Sequence, residues 1–132
     1  MAEELRIGLS DELSWTAEDQ YCITRGEHVV FSTPSMVNLL ETVSEQLLQR
    51  CLPPYQSSVG ARVDIRHLAP TPRGLPVRAV TTVREIDRRR VIFEVDIFDP
   101  VEKVGEARHE RFIIDLDRFG QRLAEKLQLR GC

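Results

Sequence analysis

The sequence predicts an α+β fold in which an antiparallel β-sheet wraps one long central α-helix, with a short helix closing the chain. Three observations lead there. A helical apolar pattern runs from Thr33 to Cys51, and four alternating segments follow it without another long helical period. The connections between those segments are short and rich in Pro, Gly, Asp and Arg. Consecutive strands on short turns pair antiparallel, and an apolar helix needs a sheet to cover it.

Before the helix the signal is weak. Leu5-Arg6-Ile7-Gly8-Leu9 alternates and Val29-Val30-Phe31 is a short apolar run, so residues 3–31 read as one or two irregular strands. Ser32-Thr33-Pro34 then opens the helix. Thr33 is the expected N-cap, and Pro34 the first helical residue, where a missing N–H is harmless. Met36, Leu40, Val43 and Leu47 keep helical spacing, flanked by Val37, Leu39, Leu48 and Cys51, until Pro53-Pro54 ends the run. That makes a helix about 27 Å long at 1.5 Å per residue. Val59, Ala61, Val63, Ile65 and His67 alternate with Arg62, Asp64 and Arg66, as a half-buried strand should. Thr71-Pro72-Arg73-Gly74 is a turn, and Leu75–Ile86, Val91–Phe98 and Val101–Leu116 are strands joined by Asp87–Arg90 and Asp99-Pro100. Phe119, Leu123 and Leu127 place an amphipathic helix from about Asp117. The four strands are expected to form a meander in chain order. So small a sheet leaves an edge and a face open, for which dimerisation is the usual remedy.

Composition narrows the function. At 132 residues with 42% hydrophobic and 30% charged residues, the chain fits one globular domain, residues 1–132. A net charge of −3 argues against a nucleic-acid partner. No run approaches the roughly 20 apolar residues of a membrane span, and the acidic start lacks a secretory pattern, so a cytoplasmic protein is expected. Cys22, Cys51 and Cys132 are odd in number with no CxxC pair, which speaks against a disulfide framework and a zinc site. No metal and no cofactor is expected. Nearly all the positive charge is arginine; genome composition or anionic ligands both account for that.

Three polar residues break the pattern. His67 continues the inward phase of its strand, as a core histidine or a titratable reactive group. Glu41 sits at the boundary of the helix's apolar face, either solvated or, if buried beneath the sheet, a base working near neutrality. Thr33 at the helix start is a cap, and also stands where helix amides favour an oxyanion. Thr33 and Glu41 are about 12 Å apart along the helix, so they do not touch. Alternation sends His109 and Arg111 to one face and Glu110 to the other. His28 falls in a weakly patterned stretch, Arg88-Arg89-Arg90 reads as a solvated turn, and Gly60 inside a strand marks close approach by a ligand or backbone. There is no GxSxG elbow and no Gly-rich phosphate loop.

Together these segments resemble a known family. Ser32-Thr33-Pro34-Ser35-Met36-Val37-Asn38-Leu39-Leu40-Glu41, then Val59-Gly60 through His67 with Ala69–Leu75, and finally Gly105–Phe119 are similar, in order and spacing, to motifs of the fluoroacetyl-CoA thioesterases. The similarity spans roughly residues 31–127. It implies a hot-dog fold, a homodimer, and hydrolysis of an acyl-CoA thioester of a short or modified acyl group. By position it implies Thr33, Glu41 and His67 as the catalytic set, and Gly60, Met36 and Arg111 as substrate-binding residues. The N-terminal third departs from the family. Where the fluoroacetyl enzyme has a longer aromatic lid, this chain has Asp19–Phe31, with Tyr21 and Phe31 as its aromatics. The resemblance thus implies the chemistry without the fluorinated substrate. A non-catalytic module holding an acyl-CoA or another apolar ligand shares every one of these features. A hot-dog dehydratase pairs an Asp with a His near the central helix, and no histidine lies between Thr33 and Ile65.

Overall fold

The computed structural model describes residues 3–130. Its elements are β1 (Ser10–Thr16), β2 (Cys22–Arg25), β3 (His28–Phe31), α1 (Thr33–Gln49), β4 (Gln56–His67), β5 (Pro76–Asp87), β6 (Arg90–Phe98), β7 (Lys103–Asp115) and α2 (Leu116–Leu129), with one 3₁₀ turn at Asp19–Tyr21. Five strands make one antiparallel sheet in the order β1-β5-β6-β7-β4, and β2-β3 is a separate hairpin. The sheet curls around α1. Met36, Leu39, Leu40, Val43, Leu47 and Leu48 are wholly buried against Val77, Ala79, Phe93, Val95 and Ile97. Each such leucine contributes about 1.5–3 kcal/mol by leaving water, so one helix face anchors the whole sheet.

Three expectations need correction. The first concerns strand order: β4 does not neighbour β5 but lies beyond β7 at the sheet edge. The segment between β4 and β5 is too long for a tight hairpin, and other backbone groups capture it. Leu68 N–H donates to Val104 O at 2.7 Å, Phe31 N–H to Thr71 O at 2.8 Å, and Gly74 N–H to Ala17 O at 2.9 Å. It therefore crosses to the far side, where β5 pairs with β1. Only β5-β6-β7 is a meander.

The second concerns the N-terminus. Leu5–Leu9 is irregular, and the strand begins at Ser10. Leu9 is buried where the chain enters the sheet, held by Gly8 N–H to Val83 O at 2.8 Å and Val83 N–H to Leu9 O at 2.9 Å. Ser10–Thr16 lacks a clean apolar alternation because Asp11, the one charged residue of its inward phase beside Leu13 and Trp15, is paired with Arg50 at 2.8 Å.

The third concerns phase. A β-bulge in β4 between Gly60 and Arg62 shifts its register against β7. A bulge inserts one unpaired residue and so exchanges the two faces. Val63, Ile65 and His67 point inward as expected, but before the bulge Ser58 and Gly60 do, while Ala61 is exposed. Val59 and Ala61 are therefore not on the His67 face.

At the C-terminus α2 has no buried residue, and Phe119, Leu123 and Leu127 remain 39–66% exposed. The amphipathic helix lies where its periodicity predicts, and its apolar stripe has no cover among the described residues.

Candidate functional site

The helix start decides the first half of the site. Ser32, not Thr33, is the N-cap: its Oγ accepts from Ser35 N–H at 3.1 Å, and its own backbone is extended. Thr33 is thereby released from capping. Its Oγ1 instead lies 2.7 Å from His67 Nδ1, at the last residue of β4. His67 Nε2 is buried with no partner among the described residues. Burial pushes the His67 pKa below its ordinary value, and a backbone contact with Ala69 opposes it. The imidazole is therefore neutral at pH 7 and able to accept a proton.

Two turns of helix further on, Glu41 meets the bulge. A Cβ on Gly60 would lie 2.5 Å from Glu41 Oε2, and 3.5 Å from both Arg111 Nη1 and His109 Cε1. Only glycine lets this carboxylate sit against the strand. Glu41 Oε2 is 3.6 Å from Arg111 Nη1, and the Glu41 side chain is 38% exposed. It is not the desolvated, unpaired carboxylate that a fully buried boundary position would give. Arg111 itself is 4% exposed and closely held. Its Nε–H donates to Ser58 Oγ at 2.9 Å, Nη2 to Ser58 O at 3.2 Å, and Nη1 to His109 Nε2 at 3.2 Å. Burial pulls its pKa down from the usual arginine range, and Glu45 and Glu41 counter that.

Of the residues singled out from sequence, the structure brings Thr33 to His67, and Glu41 to Gly60 and Arg111. It does not bring the two groups together in one chain. Gly60 and His67 are seven residues apart on one strand, or roughly 20 Å at 3.3 Å per residue with one residue lost to the bulge. Met36 is wholly buried, and its Sδ would stand 2.5 Å from a Cβ on Gly105. It forms the packed floor behind the site. Ser58 and His109 were the polar residues that sequence reasoning undervalued. The signal for His109 was present, since it shares the inward phase of Arg111; the signal for Ser58 was hidden by the bulge.

Near the helix start, Trp15 stacks on Tyr21 at 4.8 Å and Tyr21 meets Phe31 edge-on at 6.5 Å. The β2-β3 hairpin rests on the turn before β5 through Arg73 N–H to Val29 O at 3.0 Å. Cys22 and Cys51 are free thiols whose Sγ atoms lie 3.6 Å from Ala17 O and Leu47 O; Cys132 lies outside the described residues. Among the described residues no cluster of His, Cys, Asp or Glu is arranged to hold a metal, and no helix is long and apolar enough to cross a membrane.

Known proteins share this architecture. A family model described as fluoroacetyl-CoA-specific thioesterase matches residues 15–117. The chain belongs to that family. The fluoroacetyl-CoA thioesterase of Streptantibioticus cattleyicolor is 33% identical over 97 residues, covering 74% of this chain and 70% of that enzyme. A solved structure of the fluoroacetyl-CoA thioesterase FlK superposes with a TM-score of 0.86 at 26% identity, over 94% of this chain and 98% of that one. A point variant of the same enzyme in complex with fluoroacetate and CoA gives 0.81 at 27% identity, over 87% and 99%. A hot-dog-like protein from Thermanaerovibrio acidaminovorans, 22% identical over 91% of each chain, gives 0.85 and shares the fold. The fold is thus the hot-dog, and the protein is a thioester hydrolase of the fluoroacetyl-CoA thioesterase family.

Proposed function

We propose that this protein hydrolyses the thioester of a short or modified acyl-CoA, with Thr33, Glu41 and His67 as reactive groups and Gly60 and Arg111 at the acyl end. The observation that carries the reading is the contact of Thr33 Oγ1 with His67 Nδ1 at 2.7 Å, made possible because Ser32 caps the helix in its place. Glu41 attacks the thioester carbonyl, or takes a proton from the water that does. A backbone N–H at Gly60 receives the developing oxyanion, and the neutral His67, steadied by Thr33, takes a proton from water and as imidazolium hands it to the departing thiolate. Arg111 gives the acyl end a buried cation, which suits a short acyl group bearing an electronegative or anionic substituent. The free thiols fit a reducing compartment, so the cytoplasm is where we place it.

The separation of His67 from Glu41 supports a homodimer in which each site uses both subunits. The outer edge of β4 is unpaired among the described residues. Antiparallel pairing of two β4 edges about a two-fold axis at Val63 sets Arg62 opposite the partner's Asp64 and carries His67 past the partner's bulge, toward the partner's Gly60. An axis at Asp64 instead opposes like charges, which costs stability. Sedimentation tests this: Arg62→Asp is expected to weaken the dimer, and Arg62→Asp with Asp64→Arg to restore it. A monomeric wild type at micromolar concentration refutes it.

Activity is tested by thiol release from a panel of acyl-CoAs. Glu41→Gln and His67→Ala are each expected to lower kcat/KM by about a hundredfold. If both turn over the best substrate at the wild-type rate, the assignment of roles is wrong. If wild type binds acyl-CoA in a thermal-shift assay and releases no thiol, the protein is a binding module instead.

A further inference from the structure

Among the described residues His109 is the one wholly buried titratable side chain with no place in the hydrolysis just described. It is 0% exposed, on the inward face of β7, with Phe93 stacked at 6.2 Å. Its Nδ1 is 2.8 Å from Arg62 O, the carbonyl on the far side of the β4 bulge, and its Nε2 is 3.2 Å from Arg111 Nη1. Chemistry settles how these contacts are made. A guanidinium can only donate, so Nε2 must accept, and Nδ1 then carries the ring proton and donates it to Arg62 O.

The consequence reaches the site in two ways. Arg111 has one terminal nitrogen facing both His109 and Glu41, and its other two nitrogens each donate to Ser58. His109 thus fixes the rotation of the end that points at Glu41. The same ring, through Arg62 O, ties β7 to the bulge that turns Gly60 inward. An apolar side chain of the same size would fill the space and leave a buried Nη1–H and a buried carbonyl unpaired.

We propose that His109, held neutral as its Nδ1–H tautomer, is a positioning residue that aims Arg111 at Glu41 and locks the β4 bulge beneath Gly60. It acts through Arg111 and the β4 bulge and touches no reacting atom. Burial first, and the Arg111 charge after it, push its pKa down, outweighing the Arg62 carbonyl, Glu41 and Glu110. A protonated ring would present Nε2–H to Arg111 Nη1–H and break the contact.

This rests on the thioesterase reading, and the experiment separates the two. Imidazole ¹⁵N NMR of the full-length wild type reads the tautomer directly: Nδ1 protonated and Nε2 bare from pH 8 to pH 6 is expected. A charged ring or the opposite tautomer overturns the proposal, whether or not the protein turns over acyl-CoA. With the best substrate from the panel, His109→Leu is expected to lose about tenfold or more in kcat/KM. His109→Gln, which can still accept from Arg111 and donate to Arg62 O, recovers most of that loss. In an Arg111→Ala background His109→Leu loses clearly less than it does in wild type, keeping only the part carried by the bulge. Equal activity of His109→Leu and wild type, or an additive loss in that background, overturns it. Should His109→Leu not fold, the tautomer and a His109→Gln variant with near-wild-type kcat/KM support the proposal, and an inactive but folded His109→Gln overturns it.

Discussion

Gly60→Ala separates the site from the fold. The added Cβ would stand 2.5 Å from Glu41 Oε2, against 3.4 Å where ordinary contact begins, so the carboxylate must retreat by about 0.9 Å. The other two neighbours, Arg111 Nη1 and His109 Cε1, are already at 3.5 Å and need not move. Glu41 is the free end of a flexible chain with 38% of its side chain exposed, so the retreat is easy. Gly60 is not among the positive-φ glycines, and alanine in a strand loses less backbone entropy than glycine. Stability should therefore change by less than about 1 kcal/mol. Catalysis is less forgiving, because a reacting group displaced by about 1 Å can lose about a hundredfold in rate. Urea unfolding and thiol release on the same preparation read both quantities. A folded Gly60→Ala protein with kcat/KM within about threefold of wild type would falsify the placement of Glu41 against the strand as catalytically relevant.

Gly105→Ala makes the opposite contrast. There the Cβ meets Met36 Sδ at 2.5 Å inside a packed core, so unfolding should show a loss of about 1–3 kcal/mol, and wild-type stability would count against the packing described. Ser32→Ala should cost about 1 kcal/mol as a lost cap while kcat/KM holds; Thr33→Ala should cost little stability and at least about tenfold in kcat/KM. If the two variants exchange these effects in unfolding and turnover assays, Thr33 is the cap after all. The histidines set a pH window. His67 and His109 both have folded pKa values below the unfolded 6.5, so the unfolded chain binds more protons there. Stability from these groups is complete above pH 6.5 and is lost as pH falls through the folded values. Urea midpoints level from pH 8 to 7 and declining below 6.5 are expected, with a shallower decline in His109→Gln; a flat profile down to pH 5 contradicts the burial of both rings.

The elements after residue 32 were legible because their signals are local. Period 3.6 from Met36 to Leu48 and period 2 along β5, β6 and β7 come from side chains that must face one core. Ser10–Thr16 was not legible, since the partners that make its polar residues tolerable are Arg50 and Thr81, distant in the chain. The capping assignment failed for a narrower reason. Ser32 and Thr33 are both good caps, and only the backbone at Ser32, extended at φ −83° and ψ 154°, chooses between them.

By itself the sequence determined the class of fold, one long helix under an antiparallel sheet, and its family resemblance supplied the residues proposed for the reactive centre. Tertiary structure alone decided how those residues group. The β4 bulge exchanges the faces of Ser58–Ala61, the long crossing from Leu68 to Leu75 sends β4 to the edge, and Ser32 frees Thr33 for His67. Each is settled by contacts with residues far away in sequence. A periodic pattern reports which side chains avoid water; it carries no information about a one-residue shift in register or about which strand lies alongside.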